Sequence, residues 1–504
     1  MKTFEQDALE VLSLVRSIKN SFVPISRIPP EVLSLIPDYC DDDDDDADQD
    51  LITLTHVCRG WRDTFISRSS LWTQLDFMNV DKTRTYIQRS KSSPLELHLE
   101  RDEDNTYLDD AFSLVTPHIH RIKSLTIYAD ALPDNIRHFN CYAPLLEELD
   151  IDLTSPHAPV LNNALFNRDI SSLRELRLSG VVTYLPWTDL ANLTTFNLKS
   201  CRPGRDFVTR LLDFFENAPL LRTIMLEDSI PKSSNAPSER IVFLPHLDIL
   251  AITAKPAHSV LLNHLRIPTG ASLVLRFSFS GERSPLQDYL PETSTNLENL
   301  SHITTINLNF SPTKKFAQLT GPSGWLRVLA QWKDEAVSPY TKDRRILRSL
   351  DKNILSTTQG LVVSRYQHPR PAEAVKCPVY RTLSFMDTLR TLVLTKCDNL
   401  PFILALNPEE NTSELLLCHN LEDLTLYIKS RNQFHIKHLI SMARERAAED
   451  AKLSSVTVVG LGELAPGKEV FKLREHVTRV EYRIEDAPPS WDDPPDESSS
   501  DESE

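Results

Sequence analysis

Residues 25–77 read ISRIPPEVLSLIPDYCDDDDDDADQDLITLTHVCRGWRDTFISRSSLWTQLDF, and this stretch decides the fold of the N-terminal region. It predicts two short apolar helices joined by an acidic insert. The first covers about 29–39, because prolines suit the first turn of a helix. The second covers about 50–67, where apolar residues recur at spacings of three and four and form one stripe. The stripe consists of Leu51, Leu54, Val57, Cys58, Trp61 and Phe65.

Two helices this short cannot bury both of their faces against each other. Either the rest of the chain covers the remaining apolar surface, or a partner does. A helical subdomain packed on its own chain and a protein-binding module both fit the pattern of apolar residues.

Three blocks in this stretch resemble the F-box motif: IPPEVL at 28–33, LTHVCRGWR at 54–62 and SLW at 70–72. Their form is most similar to the large fungal F-box families, in which a short helical segment precedes the motif. The resemblance implies an all-helical F-box domain at 25–77, with an acidic insert at 41–50, that docks on the Skp adaptor and through it on cullin. The residues implied to bind the adaptor are Ile28, Pro29, Pro30, Val32, Leu33, Leu54, Val57, Cys58 and Trp61.

The chain departs from the family pattern at two places. Pro37 stands where members usually carry an aromatic residue, and proline removes a helix donor, so we expect the first helix to end or kink near Ile36. The acidic run 41–50 lengthens a connection that is usually short, and its like charges are expected to keep it disordered. Neither change removes the apolar contacts.

An N-terminal helix is expected within residues 1–24, at 4–19. It carries an apolar side, and we expect this side to pack on the F-box domain. A coiled-coil partner site is the alternative, although the segment is short. The apolar side consists of Phe4, Ala8, Val11, Leu12 and Val15.

A second pattern, apolar-x-x-apolar-x-apolar, recurs after the F-box region. Its middle positions fall at 97, 125, 149, 176, 196, 224 and 250, and again at 306, 392, 424 and 456. The spacing resembles that of leucine-rich repeats, about 20–29 residues. Cys201 and Cys397 stand where that repeat places a buried side chain that caps backbone groups leaving the strand.

The fold class predicted from these patterns is α/β. An N-terminal all-helical F-box precedes a curved leucine-rich-repeat-like α/β solenoid over 94–462, irregular in 311–385, with helices at 207–217 and 434–452. The rival arrangement is a set of amphipathic helices that reuse the same leucines. In the solenoid, the x positions face outward and are expected to bind a target protein. The candidates are Arg174, Arg177, Asp248, Asp423 and Thr425.

The formal net charge of −16 is misleading, because two segments carry the excess acid. Residues 41–50 hold eight acids and residues 485–504 hold nine, which leaves 54 acids against 55 bases elsewhere. The 485–504 segment is expected to be a disordered acidic tail. With no basic surface indicated, we expect no nucleic-acid partner.

Seven cysteines without a C-x-x-C pair indicate reduced thiols in an intracellular protein of the cytoplasm or nucleus. No secretory signal and no apolar run of about 20 residues is found, so we expect no membrane association. The histidine pairs His118/His120 and His435/His438 lack further ligands at metal spacing. We therefore expect no cofactor, no metal and no catalysis.

The resemblance implies the substrate-recognition subunit of an SCF-type cullin-RING ubiquitin ligase. Such a subunit docks on the Skp adaptor through the F-box and holds a target protein through the repeats. The rival is a non-catalytic interaction scaffold outside any ligase. Binding to cullin separates the two functions, because a scaffold need not bring cullin along.

Overall fold

The computed structural model forms two compact units, Met1–Gly204 and Arg205–Glu504. It describes residues 2–39, 47–76, 79–100, 108–129, 142–154, 160–161, 166, 170–183, 190–203, 206–229, 240–254, 259–279, 296–300, 302–311, 315–322, 324–332, 346–347, 350, 352–367, 378–410, 416–428, 435–461 and 468–485.

The first unit begins with helices. The α-helices are α1 (Lys2–Ser21), α2 (Pro30–Leu33), α3 (Ala47–His56), α4 (Arg59–Ser67), α5 (Val80–Ser90) and α6 (Leu108–Val115). Short 3-10 helices lie at Pro24–Arg27, Ile36–Tyr39, Ser69–Trp72 and Thr116–Arg121.

The helix boundaries within residues 25–77, called the F-box region below after the motif that the sequence resembles, correct the expectations. The first helix ends at Leu33 and a 3-10 turn follows, which fits the effect expected of Pro37. The second predicted helix is wrong as one piece: Cys58 is extended, with φ −159° and ψ 174°, and separates α3 from α4. Because α3 begins at Ala47, the last four residues of the predicted insert are helical. Residues 40–46 lie outside the described residues.

The expected packing of α1 on the F-box region is also wrong. All five residues of its apolar side are exposed. The side chain of Arg59 in α4 instead donates a hydrogen bond to the hydroxyl of Ser13.

The strands of the first unit follow the sequence pattern. They are β1 (Gln74–Leu75), β2 (Leu95–Glu100), β3 (Ile122–Ala129), β4 (Glu148–Leu153), β5 (Val160–Leu161), β6 (Glu175–Ser179), β7 (Val182–Thr183), β8 (Thr195–Lys199) and β9 (Arg202–Pro203). A parallel sheet has the order β1-β2-β3-β4-β6-β8, and β5-β7-β9 form a second parallel sheet. Since β1 lies within 25–77, that range is not wholly helical.

The predicted middle positions pair across this sheet in one register. Leu97, Leu125, Leu149, Leu176 and Phe196 are successive partners, and each is at most 2% exposed. The strand assignment is confirmed here, and the rival arrangement of amphipathic helices is wrong.

The second unit contains the helices α7 (Phe207–Asn217), α8 (Ser259–Leu262), α9 (Lys352–Thr357), α10 (Pro378–Leu383), α11 (Leu400–Leu406) and α12 (Ile436–Ala448), and 3-10 helices at Glu298–Leu300, Pro408–Glu410 and Lys468–Glu475. Its strands are β10 (Thr223–Glu227), β11 (Val242–Phe243), β12 (Ile249–Ala254), β13 (Leu265–Arg266), β14 (Ser272–Phe279), β15 (Thr305–Phe310), β16 (Lys315–Thr320), β17 (Trp325–Trp332), β18 (Gly360–Ser364), β19 (Thr391–Thr395), β20 (Asp423–Ile428), β21 (Ser455–Leu461) and β22 (Arg479–Glu485). The helix at 207–217 agrees with its prediction, and the one at 434–452 is shorter at both ends.

The sheet of this unit has the order β10-β12-β14-β17-β16-β15-β18-β19-β20-β21-β22. Its pairs are parallel except that β16 runs antiparallel to β15 and β17. The segment 311–385 therefore supplies β16, β17 and β18 to the sheet. The β16–β17 turn is closed by the Gly321 amide, which donates to the Gly324 carbonyl at 3.0 Å.

The ends of five strands share one backbone conformation. A residue with positive φ follows β6, β8, β10, β18 and β19, and the next residue is buried. The positive-φ residues are Gly180, Ser200, Asp228, Arg365 and Lys396, and the buried residues are Val181, Cys201, Ser229, Tyr366 and Cys397. The chain therefore makes the same kind of turn after each of these five strands, which occupy equivalent places in the repeat pattern.

The two cysteines at these exits bond to backbone groups. Cys201 Sγ donates to the carbonyl of Leu178 at 3.3 Å, and Cys397 Sγ donates to the carbonyl of Val363 at 3.1 Å. The amide of Tyr366 in turn donates to Cys397 Sγ at 3.4 Å. The predicted capping role of both cysteines is confirmed.

The predicted acidic tail lies outside the described residues, except for Glu485 at the end of β22. Within the part of the chain that the structure describes, no helix combines the length and apolar character needed to cross a membrane.

Candidate functional site

The three sequence blocks of the F-box region meet in one small apolar core. Leu33 of α2 packs with Trp61 and Phe65 of α4, and all three are buried. The rings of Trp61 and Phe65 stand edge to face with centroids 5.7 Å apart. The partly buried residues packed against this core are Ile28, Ile36, Leu54, Cys58 and Leu71.

The third block fastens this core to the following helix. Trp72 is fully buried, and its Nε1 donates to the carbonyl of Phe65 at 2.9 Å. Its ring stands edge to face with Tyr86 of α5 at 5.0 Å, and the guanidinium of Arg89 lies 4.3 Å from its centroid. The guanidinium of Arg68 also donates to the carbonyl of Ser34, which ties the end of α4 to α2. The packing holds the F-box helices in a fixed arrangement.

A second set of apolar side chains in this region points away from the core. Val32 is 53% exposed, Leu35 is 45% exposed and Val57 is 54% exposed. Leu33 and Ile36 share one side of this segment and face the core, whereas Val32 and Leu35 face out. Val57 is exposed because the chain is not helical between α3 and α4. The arrangement presents apolar side chains on a rigid base, which suits binding to an apolar partner surface.

The predicted adaptor-binding residues therefore fall into two groups. Leu33 and Trp61 are buried, and Ile28, Leu54 and Cys58 are half-buried against the same core. These five hold the domain together in the free chain. The exposed residues of the prediction are Pro29, Pro30, Val32 and Val57.

Sequence reasoning did not select Leu35 for this surface. The spacing of three residues from Val32 is the signal that links the two, because such residues are neighbours on one side of a helical segment. Ile25 is a further exposed apolar residue, at the preceding 3-10 helix.

The candidate target-binding residues of the first unit lie at one strand, β6. Arg174 precedes the strand and is exposed. Arg177 lies on the strand, is 43% exposed, and donates to Glu175 at 2.6 Å. Its guanidinium is also 3.9 Å from Asp150 on the neighbouring strand β4. The side chain of Arg177 is therefore held between the carboxylates of Glu175 and Asp150 at the surface of the sheet.

The candidates of the second unit lie far apart. Asp248 is exposed before β12 and pairs with Arg222 at 3.3 Å. Asp423 and Thr425 are half-buried on β20, where Asp423 accepts a hydrogen bond from Ser455. Seven strand spacings separate β12 from β20, which is roughly 30–35 Å. These three residues do not form one site.

Neither histidine pair has the surroundings of a metal site. Burial lowers the pKa of His118, and the nearby charges of Arg121 and His120 lower it further. Burial lowers the pKa of His435 against the opposing effect of Asp398, which lies 3.7 Å away. Among the described residues, no group of three or more His, Cys, Asp or Glu side chains is placed to hold a metal ion.

Comparison with protein families identifies the helical region. A family model described as F-box-like matches residues 25–78, which contain the core and the exposed side chains described above. No curated protein matches the chain at a significant level.

Proposed function

We propose that the chain is the substrate-recognition subunit of an SCF-type cullin-RING ubiquitin ligase. The F-box-like domain at 25–78 suggests this role, because F-box proteins are in general non-catalytic adaptors that bind the Skp adaptor and thereby cullin. The observation that carries the proposal is the exposure of Val32, Leu35 and Val57 beside a core in which Leu33, Trp61 and Phe65 are buried. The chain acts in the cytoplasm or nucleus and performs no covalent chemistry itself.

The energetics fit an apolar docking surface. Full burial of a Val or Leu side chain contributes about 1.5–3 kcal/mol. Since these three side chains are about half exposed, covering them supplies on the order of 2–4 kcal/mol in total. Pro29 and Pro30 extend the surface at the start of α2 and lose little conformational freedom on binding.

The strand-rich region would hold the target protein. Support comes from the parallel strands in register, the shared strand exits and the variable polar side chains between the buried leucines. We propose that these strands belong to a leucine-rich-repeat-like solenoid over 94–462. The candidate residues for target contacts are exposed or half-buried on its strands or directly before them: Arg174, Arg177, Asp248, Asp423 and Thr425. Proximity of the bound target to the ubiquitin-loading enzyme then supplies the rate advantage and leads to degradation.

The test is co-purification with the Skp adaptor. The variant V32D/V57D places two charges in the docking surface without touching the core, so we expect adaptor binding to be lost while the thermal unfolding midpoint stays near that of wild type. The matched control is Leu220→Asp, which adds a charge at an exposed leucine of the second unit and should leave binding unchanged. Wild-type adaptor binding by V32D/V57D would show that this surface is not the docking site.

A further inference from the structure

Strand β22 forms an open edge of the sheet in the second unit. Among the described residues, β22 pairs with β21 on one side and with no strand on the other. The amide and carbonyl groups at such an edge can pair with a further strand. Its side chains are also open to solvent, since Ile484 is 58% exposed and the side chains of Arg479 and Arg483 are 71% and 59% exposed.

Alternate residues of β22 direct their backbone groups to the free edge. The amide of Arg479 donates to the carbonyl of Ser454 at 2.9 Å, so the backbone groups of Arg479 face the side of β21. The two strands stay in one parallel register to the end of β22. Because the direction of the backbone groups alternates along a strand, the groups that face the free edge belong to Val480, Tyr482 and Ile484.

The side chains of β22, which reads RVEYRIE, are sorted by the same alternation. Successive side chains of a strand point to opposite faces of the sheet. One face therefore carries basic and acidic residues in turn: Arg479, Glu481, Arg483 and Glu485. The other face carries Val480, Tyr482 and Ile484. Within one chain, Glu481 pairs with Arg479 and accepts a hydrogen bond from Arg483 at 2.6 Å.

A second copy of β22 complements this edge when it runs antiparallel with Tyr482 opposite Tyr482. Directly opposite residues of an antiparallel pair have their side chains on the same face. Glu481 then lies opposite Arg483 of the second copy, and Arg479 lies opposite Glu485 of the second copy. The two-fold symmetry repeats each contact, so every charge on that face meets its opposite.

The backbone groups fit the same alignment. Tyr482 pairs with Tyr482 and Val480 pairs with Ile484, and all of these residues direct their amide and carbonyl groups to the free edge. Each such pair can therefore exchange both of its backbone hydrogen bonds. The charged residues then occupy the positions without hydrogen bonds, where the Cα atoms are only about 4.5 Å apart and the side chains are closest.

Other alignments of two β22 strands lose the match of charges. With Glu481 at the centre, Glu481 meets itself and Arg479 meets Arg483. With Arg483 at the centre, Arg483 meets itself and Glu481 meets Glu485. A parallel pair in register sets every charge beside its own kind, and like charges on opposite strands are destabilising. A shift of one residue sets charged residues against apolar ones.

The sequence that follows β22 is poorly suited to supply the missing strand. Residues 486–504 contain prolines at 488, 489, 494 and 495, and proline has no amide hydrogen to donate to a strand ladder. The charged residues of this segment are all acidic, so they complement the two arginines of β22 but not its two glutamates. A second copy of β22 complements both.

We propose that β22 is a homodimerisation edge, which pairs antiparallel with β22 of a second copy of this chain and joins the two sheets. The proposal does not rest on the proposed function. It requires the free edge and the charge order of β22, whereas adaptor docking requires Val32, Leu35 and Val57.

The first test is the mass of the full-length protein by sedimentation equilibrium, from about 1 µM to about 100 µM. We expect a reversible dimer of twice 57.4 kDa. Glu481→Arg sets two bases opposite each other at both symmetric contacts and should weaken dimerisation about tenfold. The matched control Glu449→Arg makes the same change at an exposed residue just after α12 and should dimerise as wild type does. A wild-type protein that stays monomeric over this range, or undiminished dimerisation of Glu481→Arg, would overturn the proposal.

The second test distinguishes the pairing of charges from the mere loss of Glu481. The variant R479E/E481R/R483E/E485R reverses every charge on that face, so opposite charges meet again in the same alignment. It should dimerise nearly as wild type does, with an unchanged circular dichroism spectrum. Dimerisation as weak as that of Glu481→Arg would overturn the alignment.

The third test locates the two-fold axis by oxidative cross-linking of the full-length chain. Tyr482→Cys sets two thiols opposite each other at a Cα separation of about 5.5 Å, which a disulfide can span. The control Val480→Cys sets its two thiols about 14 Å apart, which is too far. We expect covalent dimer from Tyr482→Cys well above the background of wild type, which has seven cysteines, and none above it from Val480→Cys. Equal yields from the two variants would overturn the proposed pairing.

Discussion

The indole Nε1 of Trp72 donates a hydrogen bond of 2.9 Å to the carbonyl of Phe65, and both side chains are fully buried. The bond joins the last F-box block to the helix that carries Trp61. It also satisfies the one polar atom of a side chain that has left water. The core of the F-box region is thereby kept rigid while its outward side chains stay exposed.

Replacing Trp72 by phenylalanine should therefore destabilise the chain without abolishing folding. The ring contact with Tyr86 is largely kept, but the Phe65 carbonyl loses its donor and a small void forms. We expect a loss of about 1–3 kcal/mol in unfolding free energy, measured by urea denaturation. Tyr142→Phe, at an exposed side chain, is the control and should change it by less than about 0.5 kcal/mol. Equal midpoints for both variants would contradict the role assigned to Trp72.

Substitution by alanine should destabilise the chain at Gly180 but not at Gly60. Gly180 has φ +66°, and an added Cβ would stand 1.9 Å from the Leu153 carbonyl oxygen, so Gly180→Ala should be strongly destabilising. Gly60 lies in α4 with its nearest neighbour at 4.0 Å, so Gly60→Ala should be neutral or stabilise by about 0.5–1 kcal/mol. Thermal unfolding of the two variants side by side checks this, and a similar loss for both would contradict the exit geometry after β6.

Substitutions in and beside strand β6 should differ in how much they destabilise the chain. Leu176 is fully buried, and Leu176→Ala should cost about 2–5 kcal/mol. Arg174 is exposed and Arg174→Ala should stay within about 0.5 kcal/mol. Arg177 is held by Glu175 and Asp150 at the surface, so Arg177→Ala should cost no more than about 1 kcal/mol. Denaturation midpoints compare the three, and similar losses for Leu176→Ala and Arg174→Ala would be inconsistent with the strand.

Stability at alkaline pH should depend on Cys397. Burial raises the pKa of its thiol to about 12, although hydrogen bonds from the backbone oppose this. The thiol of an unfolded cysteine titrates at about 8.5. The stability that the buried thiol contributes to the folded chain is therefore fully present below that pH and is lost as the pH rises towards 12. Cys397→Ser removes this titration. Its unfolding free energy, measured from about pH 7 to about pH 10, should fall less steeply than that of wild type, by up to about 1.4 kcal/mol per pH unit. Parallel curves would contradict the prediction.

The strands were predictable because each one carries its own local pattern. Leu173, Leu176 and Leu178 occupy one short segment, and their alternation is read directly from the sequence. The reversed order of β15, β16 and β17 in the sheet, where β17 pairs with β14 and β15 pairs with β18, was not predictable in this way. Their order depends on pairing between distant segments, which no local pattern encodes.

The sequence motif located the candidate docking surface, but it did not show which of its apolar residues are buried and which are exposed. Val32 and Leu33 are both apolar neighbours, and only the packing of Trp61 and Phe65 decides which of them is buried. The break at Cys58 was missed because the apolar stripe continues through it at helical spacing. That continuity made Val57 look like one more residue of the stripe, whereas the break exposes it.

The most direct measurement for the central claim is recovery of the tagged full-length chain from cells, with quantification of the Skp adaptor and cullin that accompany it. The account predicts both proteins with wild type and neither with V32D/V57D, while L220D recovers both. Adaptor without cullin would identify a scaffold outside the ligase. Absence of both from the wild-type chain would contradict the proposed function.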